Sequence, residues 1–191
     1  SKGKVRDTYE LPGGDLLMVA SDRISTYDAI HPNPISGKGK VLTGTSVFWF
    51  GELGDLVRNH LISAVEDVPP ALRGRALKVR RLEMLPIECV VRGYLTGSGW
   101  KDYRKTGAVS GHRLQPGLVE CAKLEPAIYT PSTKAEVGHD VAIDFAETAR
   151  IVGASAAARL RDLTLSLFER ATVLAEARGI PVLQPERPES G

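Results

Sequence analysis

Strand-like segments fill the first half of this sequence and helical segments close it. The opening predicts a hairpin, because the run from Val5 to Leu11 and the apolar run from Leu16 to Ala20 are separated by the turn-forming Pro12-Gly13-Gly14. Two more strand-like stretches follow, Ala76 to Leu82 and Ile87 to Leu95. Strands first and helices later favour an α+β fold over an alternating α/β fold.

Three helices are predicted from apolar spacing and capping residues. The first contains Phe50, Leu53, Val57 and Leu61. A short second helix is capped by Asp144 with Glu147 and ends at Gly153, and a longer third is capped by Ser155 and stopped by Gly179. The apolar residues predicted to face inward on the third helix are Leu160, Leu163, Leu167, Ala171 and Leu174.

The middle of the chain suggests a boundary and a functional region. The Pro-marked turn Met84-Leu85-Pro86 is the candidate boundary between a lobe of residues 1–83 and a second lobe of residues 84–191. From Thr96 to Asp140 glycine, proline and charged residues are frequent and the periodicity is poor. We therefore expect a long functional loop region there.

Composition excludes several classes of protein. With 191 residues, 42% of them hydrophobic, the chain can bury one core or two adjoining ones. A net charge of +2 gives no global field that favours nucleic acid or an anionic membrane as partner, although it is compatible with a homo-oligomer. Two cysteines are too few for a disulfide framework, and no apolar run reaches transmembrane or signal-peptide form, so the sequence predicts a reduced cytoplasmic protein.

Two short basic segments near the start are candidate anion sites. In Gly3-Lys4-Val5-Arg6 a flexible glycine lies beside two cations, which suits a polyphosphate; a solvated basic strand edge is the alternative. Ser36-Gly37-Lys38-Gly39-Lys40 precedes a predicted helix and suits an anion through amides, dipole and lysines, or is a plain turn. Between them lies Ser21-Asp22-Arg23-Ile24-Ser25, followed by Asp28. This segment either orients a phosphate-binding loop or only supplies polar side chains that stabilise a turn.

The most informative segment runs from Arg92 to Trp100. A cation at a strand end is followed there by glycines and hydroxyl donors, Thr96 and Ser98. Backbone amides at the glycines can converge on phosphate oxygens while Arg92 binds two oxygens at once, which suits a phosphate monoester. A glycine-rich strand connection without a ligand is the alternative.

A second polar segment, Tyr129 to Asp140, contains nearly every polar group type within one loop limited by proline and glycine. His139 beside Asp140 invites a catalytic pair, but neighbouring side chains point apart, and a loop histidine is the better interpretation. No serine nucleophile motif and no histidine cluster with metal spacing accompanies it.

Taken together and in order, these motifs closely resemble the phosphoribosylaminoimidazole-succinocarboxamide synthase family. The resemblance runs from the first residue to about Ile180. It is carried by the following segments: Gly3 to Asp7, Ser21 to Ser25, Gly37 to Lys40, Glu88 to Tyr94, Gly97 to Trp100 and Thr130 to Asp140.

The resemblance implies a two-lobed, kinase-like or ATP-grasp-like α+β fold with an antiparallel sheet in its N-terminal, ATP-binding lobe. It implies an ATP-dependent ligase of purine biosynthesis that uses ATP, Mg²⁺, L-aspartate and a carboxylated imidazole ribonucleotide, with the second lobe binding the substrate. The residues it assigns to ATP are Lys4, Arg6 and Met84. Those it assigns to the substrate are Arg92, Ser98 and Glu136, with Lys38, Asp28 and Lys134 as weaker assignments.

The chain departs from the family pattern after Ile180. Members of the family continue into a strand with an Asp-Thr-Lys segment and a nearby Glu, whose carboxylates are the expected magnesium ligands. Here Pro181-Val182-Leu183-Gln184-Pro185 follows instead. Residues missing from the printed sequence, a shortened noncatalytic nucleotide-binding relative, or a second chain that completes the site would each explain this, and we expect the first. A related ligase for another carboxylated heterocycle is a further alternative.

Overall fold

The computed structural model describes residues 1–26, 29–134 and 140–180. They fall into two compact units, one containing Ser1–Glu83 and a second beginning at Met84. Asp28 and Glu136, two of the predicted substrate-binding residues, lie outside the described residues, as do His139 and the chain after Ile180. No helix in the described part of the chain is long and apolar enough to cross a bilayer.

The first unit is built on antiparallel strands with one long helix. Its elements are β1 (Arg6–Glu10), β2 (Leu16–Ala20), β3 (Ser25–Thr26), β4 (Ala29–Ile30), α1 (Lys38–Glu52), β5 (Leu61–Ser63), a 3₁₀ turn (Pro70–Leu72) and β6 (Ala76–Val79). A four-stranded sheet has the order β1-β2-β6-β5, and every neighbouring pair in it is antiparallel. The predicted antiparallel sheet and the opening hairpin are confirmed.

The second unit combines short strand pairs with helices. Its elements are β7 (Ile87–Glu88), β8 (Val91–Tyr94), α2 (Gly97–Thr106), β9 (Ala108–Val109), β10 (His112–Arg113), β11 (Lys123–Tyr129), β12 (Ser132–Thr133), α3 (Phe145–Val152) and α4 (Ala154–Glu176). Strand β8 pairs with β11, β7 with β12, and β9 with β10, all antiparallel. Mixed helices and antiparallel strands confirm the α+β class.

Each unit has its own apolar core. In the first unit Leu17, Val68 and Ala76 are buried together. The second unit is centred on a larger cluster whose buried members are Leu95, Tyr103, Val109, Leu124 and Ile128. The second cluster joins α2 to β11, and this packing fixes the start of α2 beside the end of β8.

The first predicted helix was wrongly placed. It begins at Lys38 and ends at Glu52, whereas Leu61 belongs to β5. The Asn59 side chain explains the early end, because its amide donates to the carbonyl of Phe50 at 3.1 Å and its oxygen accepts from the Leu61 amide at 3.0 Å. A side chain that binds the last turn in this way diverts the chain into a strand.

The long loop region predicted from Thr96 to Asp140 is also wrong. It contains α2, the hairpin β9–β10 and the strands β11 and β12. Helix α2 was not predicted because only Gly99 and Tyr103 are buried in it and most of its other residues are polar. It therefore has too few apolar residues to show a period in the sequence, although Tyr103 lies in the core and Trp100 packs against it.

The remaining element predictions had mixed outcomes. The strand predicted from Ile87 to Leu95 is divided into β7 and β8, and the one predicted from Ala76 to Leu82 ends at Val79. Asp144 caps α3 as predicted, since its carboxylate accepts from the Glu147 amide at 2.8 Å. Ser155 caps nothing: α4 begins at Ala154 after Gly153.

The end of α4 follows the prediction more closely. The amide of Gly179 donates to Glu176 and that of Ile180 to Ala175, which is a Schellman motif with Gly179 at a φ of 73°. Gly179 therefore terminates the helix. The leucines predicted to face inward on α4 are half-buried in the described chain, whereas Ala157 and Ala175 are buried.

Candidate functional site

In the first unit, the basic segment at the start of β1 is held by a single arginine. The guanidinium of Arg23 donates to the carbonyls of Gly3 at 3.0 Å and Lys4 at 2.9 Å. It also forms a two-pronged ion pair with the Asp7 carboxylate at 2.6 and 3.3 Å. Arg23 lowers the pKa of the Asp7 carboxyl, and Asp7 in turn raises the pKa of Arg23. The segment has a fixed backbone rather than that of a loose terminus.

The second basic segment is held by the neighbouring residue. Asp22 accepts hydrogen bonds from the amides of Gly39 at 2.8 Å and Gly37 at 3.3 Å, and from Arg75 at 3.2 Å. These amides, that of Gly39 first, lower the pKa of the Asp22 carboxyl. Gly37 has a φ of 82°, which places α1 against Asp22. The anion that satisfies these amides is therefore the protein's own carboxylate.

The side chains predicted to bind ATP phosphates remain at the surface of this unit. Lys4 and Arg6 are exposed, and Lys38, which was predicted to bind the substrate, is half-buried at the first residue of α1. Burial, and then the positive charge of Arg6, lower the pKa of His60. Cationic side chains from the start of β1 and the start of α1 thus lie in the same unit, on backbone that Asp22 and Arg23 fix.

In the second unit, Arg92 lies beside the start of α2. It is on β8, and its guanidinium donates to the Ser98 hydroxyl at 3.0 Å. Its Nε atom is buried without a hydrogen-bond partner among the described residues. Burial lowers the pKa of Arg92, an effect that the charge of Asp102 opposes. A half-buried cation with an unsatisfied donor is costly unless an anion binds it.

The start of α2 adds to this positive potential. Thr96 is its N-cap, and among the described residues no side chain caps the helix by a hydrogen bond. The first amides of a helix have no partners within the helix and carry a partial positive charge. With the Arg92 guanidinium and the exposed Ser98 hydroxyl beside them, they have the chemistry that suits an anion such as a phosphate monoester.

Two glycines allow Arg92 to lie where it does. A Cβ at Gly99 would lie 3.2 Å from the Cδ and Nε atoms of Arg92. A Cβ at Gly93, the next residue on β8, would lie 2.7 Å from the ring of Phe168 on α4. Gly99 therefore makes room for the guanidinium, and Gly93 lets α4 pack against the strand that carries it.

The other predicted site residues of this unit lie around Pro86. Met84 is 79% exposed, and the amide of Lys134 donates to the Pro86 carbonyl at 3.0 Å. Lys134 directly follows β12, whose pairing with β7 is continuous with this contact. The structure therefore brings Lys134 close in space to the Met84 segment, although the two were predicted to contact different ligands.

The described residues offer no ready magnesium site. Within 1–26, 29–134 and 140–180, no group of three or more histidine, cysteine or acidic side chains is arranged to hold a metal ion. Both cysteines are free thiols, and Cys89 accepts a hydrogen bond from the Tyr129 hydroxyl at 3.4 Å. No described residue is therefore assigned to a metal.

Sequence reasoning missed two of these roles. Arg23 was noted within a polar segment, but its four hydrogen bonds join residues 16 to 20 positions apart in sequence. Gly99 was predicted only as one of the glycines whose backbone amides approach a phosphate, whereas it also provides space for the Arg92 side chain on another element. The signal available in the sequence was the Asp22-Arg23 pair, because its two opposite charges lie between the two basic, glycine-containing segments.

One family model and two curated relatives match this chain over more than nine tenths of its length. The model of the SAICAR synthetase family matches residues 1–183. A phosphoribosylaminoimidazole-succinocarboxamide synthase from Salinispora arenicola is 56% identical over 179 residues, which are 93% of this chain and 64% of that protein. One from Thermodesulfovibrio yellowstonii is 49% identical over 187 residues, 94% of this chain and 64% of that protein.

Solved structures give the same result. The structure titled SAICAR-synthase from Saccharomyces cerevisiae complexed with SAICAR superposes with a TM-score of 0.86 at 40% identity, covering 96% of this chain and 64% of that one. A SAICAR synthetase (Type-2) in complex with ADP has a TM-score of 0.77 at 21% identity, covering 96% and 71%, and shares the fold. The chain spans about 64% of the length of the curated relatives it matches. Over that span, its sequence and its fold place the chain in the SAICAR synthetase family.

Proposed function

We propose that the chain contributes the nucleotide-binding machinery of a ligase that joins L-aspartate to a carboxylated aminoimidazole ribonucleotide at the expense of ATP. The observation that carries this proposal is the Arg92 guanidinium, partly desolvated and with Nε unsatisfied, beside the uncapped start of α2. A phosphate monoester matches that site in charge and in hydrogen-bonding capacity. The 40% identical yeast relative, whose structure contains SAICAR, supports this choice of substrate.

The proposed roles are assigned residue by residue. Arg92 and Ser98 bind the 5′-phosphate of the imidazole ribonucleotide in the second unit. Lys4 and Arg6 neutralise the ATP phosphates in the first unit, and the exposed Met84 provides an apolar contact for adenine. Lys38 and Lys134, together with Asp28 and Glu136, are proposed to complete the substrate contacts.

The chemistry needs charge neutralisation and positioning more than a protein nucleophile. A carboxylate oxygen of the imidazole nucleotide attacks the γ-phosphorus of ATP, ADP leaves, and an acyl phosphate results. The aspartate amine then attacks the acyl carbon, inorganic phosphate leaves, and the amine loses a proton. Cationic side chains that hold the phosphates in line supply the main stabilisation in such transfers. Mg²⁺ is proposed to bind together with ATP.

The proposal is tested by incubating the purified full-length protein with ATP, Mg²⁺, L-aspartate and the carboxylated aminoimidazole ribonucleotide. We expect succinocarboxamide and ADP in equal amounts, and none when any one substrate is omitted. Calorimetric binding of the imidazole ribonucleotide without turnover would instead support the noncatalytic relative. Turnover only with another carboxylated heterocycle would support the related ligase, and neither binding nor turnover would overturn the proposal.

A further inference from the structure

Arg23 makes more backbone contacts than an ordinary surface ion pair. Four of the five N–H groups of its guanidinium are engaged, two by the Asp7 carboxylate and one each by the carbonyls of Gly3 and Lys4. Its charge is already balanced by Asp7 at 2.6 Å. Arg23 is therefore poorly suited to bind a phosphate itself, and its structural effect falls on the backbone of residues 3–7.

Ser21, two residues before Arg23, binds a third backbone carbonyl of this segment. Both the amide and the hydroxyl of Ser21 donate to the carbonyl of Val5, at 3.0 and 2.8 Å. The carbonyls of Gly3, Lys4 and Val5 are thus all turned toward the Ser21–Arg23 segment. In a trans peptide the N–H points opposite to the preceding carbonyl, so the N–H groups of Lys4 and Val5 are directed away from Arg23.

This arrangement separates charges on the two sides of the segment. The negative ends of the peptide dipoles and the Asp7 carboxylate lie on the Arg23 side. Asp7 and Arg6 are successive residues of β1, so their side chains lie on opposite faces of the strand. The Arg6 side chain therefore lies on the face opposite Asp7, and the N–H groups of Lys4 and Val5 point away from Arg23; a cation and peptide N–H groups each attract phosphate oxygens.

We propose that Arg23 is a positioning residue for the polyphosphate of ATP, acting through the backbone of Gly3 and Lys4 rather than by contact with the nucleotide. The inference rests on the proposed function, because it presupposes that this segment binds ATP phosphates. A lysine at position 23 keeps the charge but has only three N–H groups, all on one atom, so it cannot reproduce the four hydrogen bonds that Arg23 makes from three nitrogens.

The test measures nucleotide binding by calorimetry for the parent chain and for Arg23→Lys. The three ligands are ATP, AMP and the imidazole ribonucleotide. We expect Arg23→Lys to weaken ATP binding by about tenfold or more, to weaken AMP binding much less, and to leave the imidazole ribonucleotide unaffected. A merely structural role would move all three affinities together.

Arg81→Lys is the matched control, because Arg81 forms an exposed ion pair with Glu10 at the other end of β1. Circular dichroism verifies folding, and Arg23→Gln, which keeps a short neutral donor, replaces Arg23→Lys should that variant not fold. Equal losses for ATP and AMP, or an ATP affinity within about twofold of the parent, would overturn the inference. A parent chain that binds no ATP would instead reject the ATP part of the proposed function, and this inference with it.

Discussion

The carboxylate of Asp22 accepts a 2.8 Å hydrogen bond from the backbone N–H of Gly39, the second residue of α1. A Cβ at position 39 would collide with the Ala20 carbonyl, so the helix approaches the end of β2 more closely than any residue but glycine permits. One acidic residue therefore sets where α1 starts. It also sets the backbone from which Lys38 and Lys40 project.

Asp22→Asn should lower the melting temperature at neutral pH, because the amide is a weaker acceptor for the Gly37 and Gly39 N–H groups and no longer pairs with Arg75. A drop of several degrees is expected, measured by circular dichroism.

The folded-state pKa of Asp22 is lowered from 3.8, so its contribution to stability is present above pH 3.8 and is lost as the pH falls through the lowered value. The difference between parent and variant should accordingly shrink in acid. Asp15→Asn is the control, since Asp15 is half-buried like Asp22 but forms only a long, 3.8 Å ion pair with Lys78; an equal effect there would contradict the prediction.

Arg92→Ala should weaken binding of the imidazole ribonucleotide by about 1.5 to 3 kcal/mol, since a charged hydrogen bond to phosphate is lost. Arg92→Lys should recover only part of this, because a lysine cannot bind two oxygens in a planar fork. Titration calorimetry with the nucleotide and with its nucleoside measures both effects. The nucleoside, which has no phosphate, should bind parent and variants alike, and a matching loss for it would show that Arg92 acts on the fold instead.

Gly99→Ala should reduce the same phosphate affinity while leaving most of the stability intact. The added Cβ would lie 3.2 Å from Cδ and Nε of Arg92, so the guanidinium must shift by a few tenths of an ångström. Gly44→Ala is a matched control in a helix, since its added Cβ would have no described atom within 4 Å apart from its chain neighbours and the backbone of its own helix. It should raise the free energy of unfolding by about 0.5 to 1 kcal/mol. Unchanged phosphate affinity in Gly99→Ala would mean that the position of the guanidinium does not limit binding.

Gly93→Ala should destabilise the second unit by about 1 to 3 kcal/mol, as overpacking does in a closely packed interior. Its Cβ would lie 2.7 Å from the Cζ atom of Phe168. Urea denaturation of the single variant and of Gly93→Ala with Phe168→Leu measures the coupling between the two positions. The second substitution should recover part of the loss, because leucine has no ring atom there. Strictly additive losses would argue against direct contact.

His60→Gln should make the stability less dependent on pH below about 6.5. In the folded chain, burial and the charge of Arg6 lower the pKa of His60 from 6.5, so the unfolded chain binds the proton more readily. The parent is therefore destabilised as the pH falls below 6.5 toward the lowered value, and this penalty is absent above 6.5. Urea midpoints at pH 7.5 and 5.5 should converge in the variant. His31→Gln controls for loss of an exposed histidine, and a parent with no greater pH dependence than His60→Gln would contradict the prediction.

Local signals predicted several elements of the fold correctly. The Pro12-Gly13-Gly14 turn between apolar runs gave the hairpin of β1 and β2, and Asp144 marked the start of α3. Prediction failed where the deciding contact comes from a distant residue. The first helix ends early because Asn59 binds its last turn, and α2 was overlooked because its packing depends on Tyr103 rather than on a repeated apolar face.

The sequence by itself determined the family, the α+β class and the types of residue that could meet phosphates, because motif order, hairpin signals and capping residues are local or cumulative properties of the chain. Only the tertiary structure decided which of these groups are available to a ligand. It showed that the amides at the start of α1 are taken by Asp22. Within the described part of the chain, by contrast, no side chain caps the start of α2, and the Nε atom of the neighbouring Arg92 has no hydrogen-bond partner. The physical reason is that a hydrogen-bonding group can bind a ligand only where folding has not already satisfied it, and that depends on contacts between residues far apart in sequence.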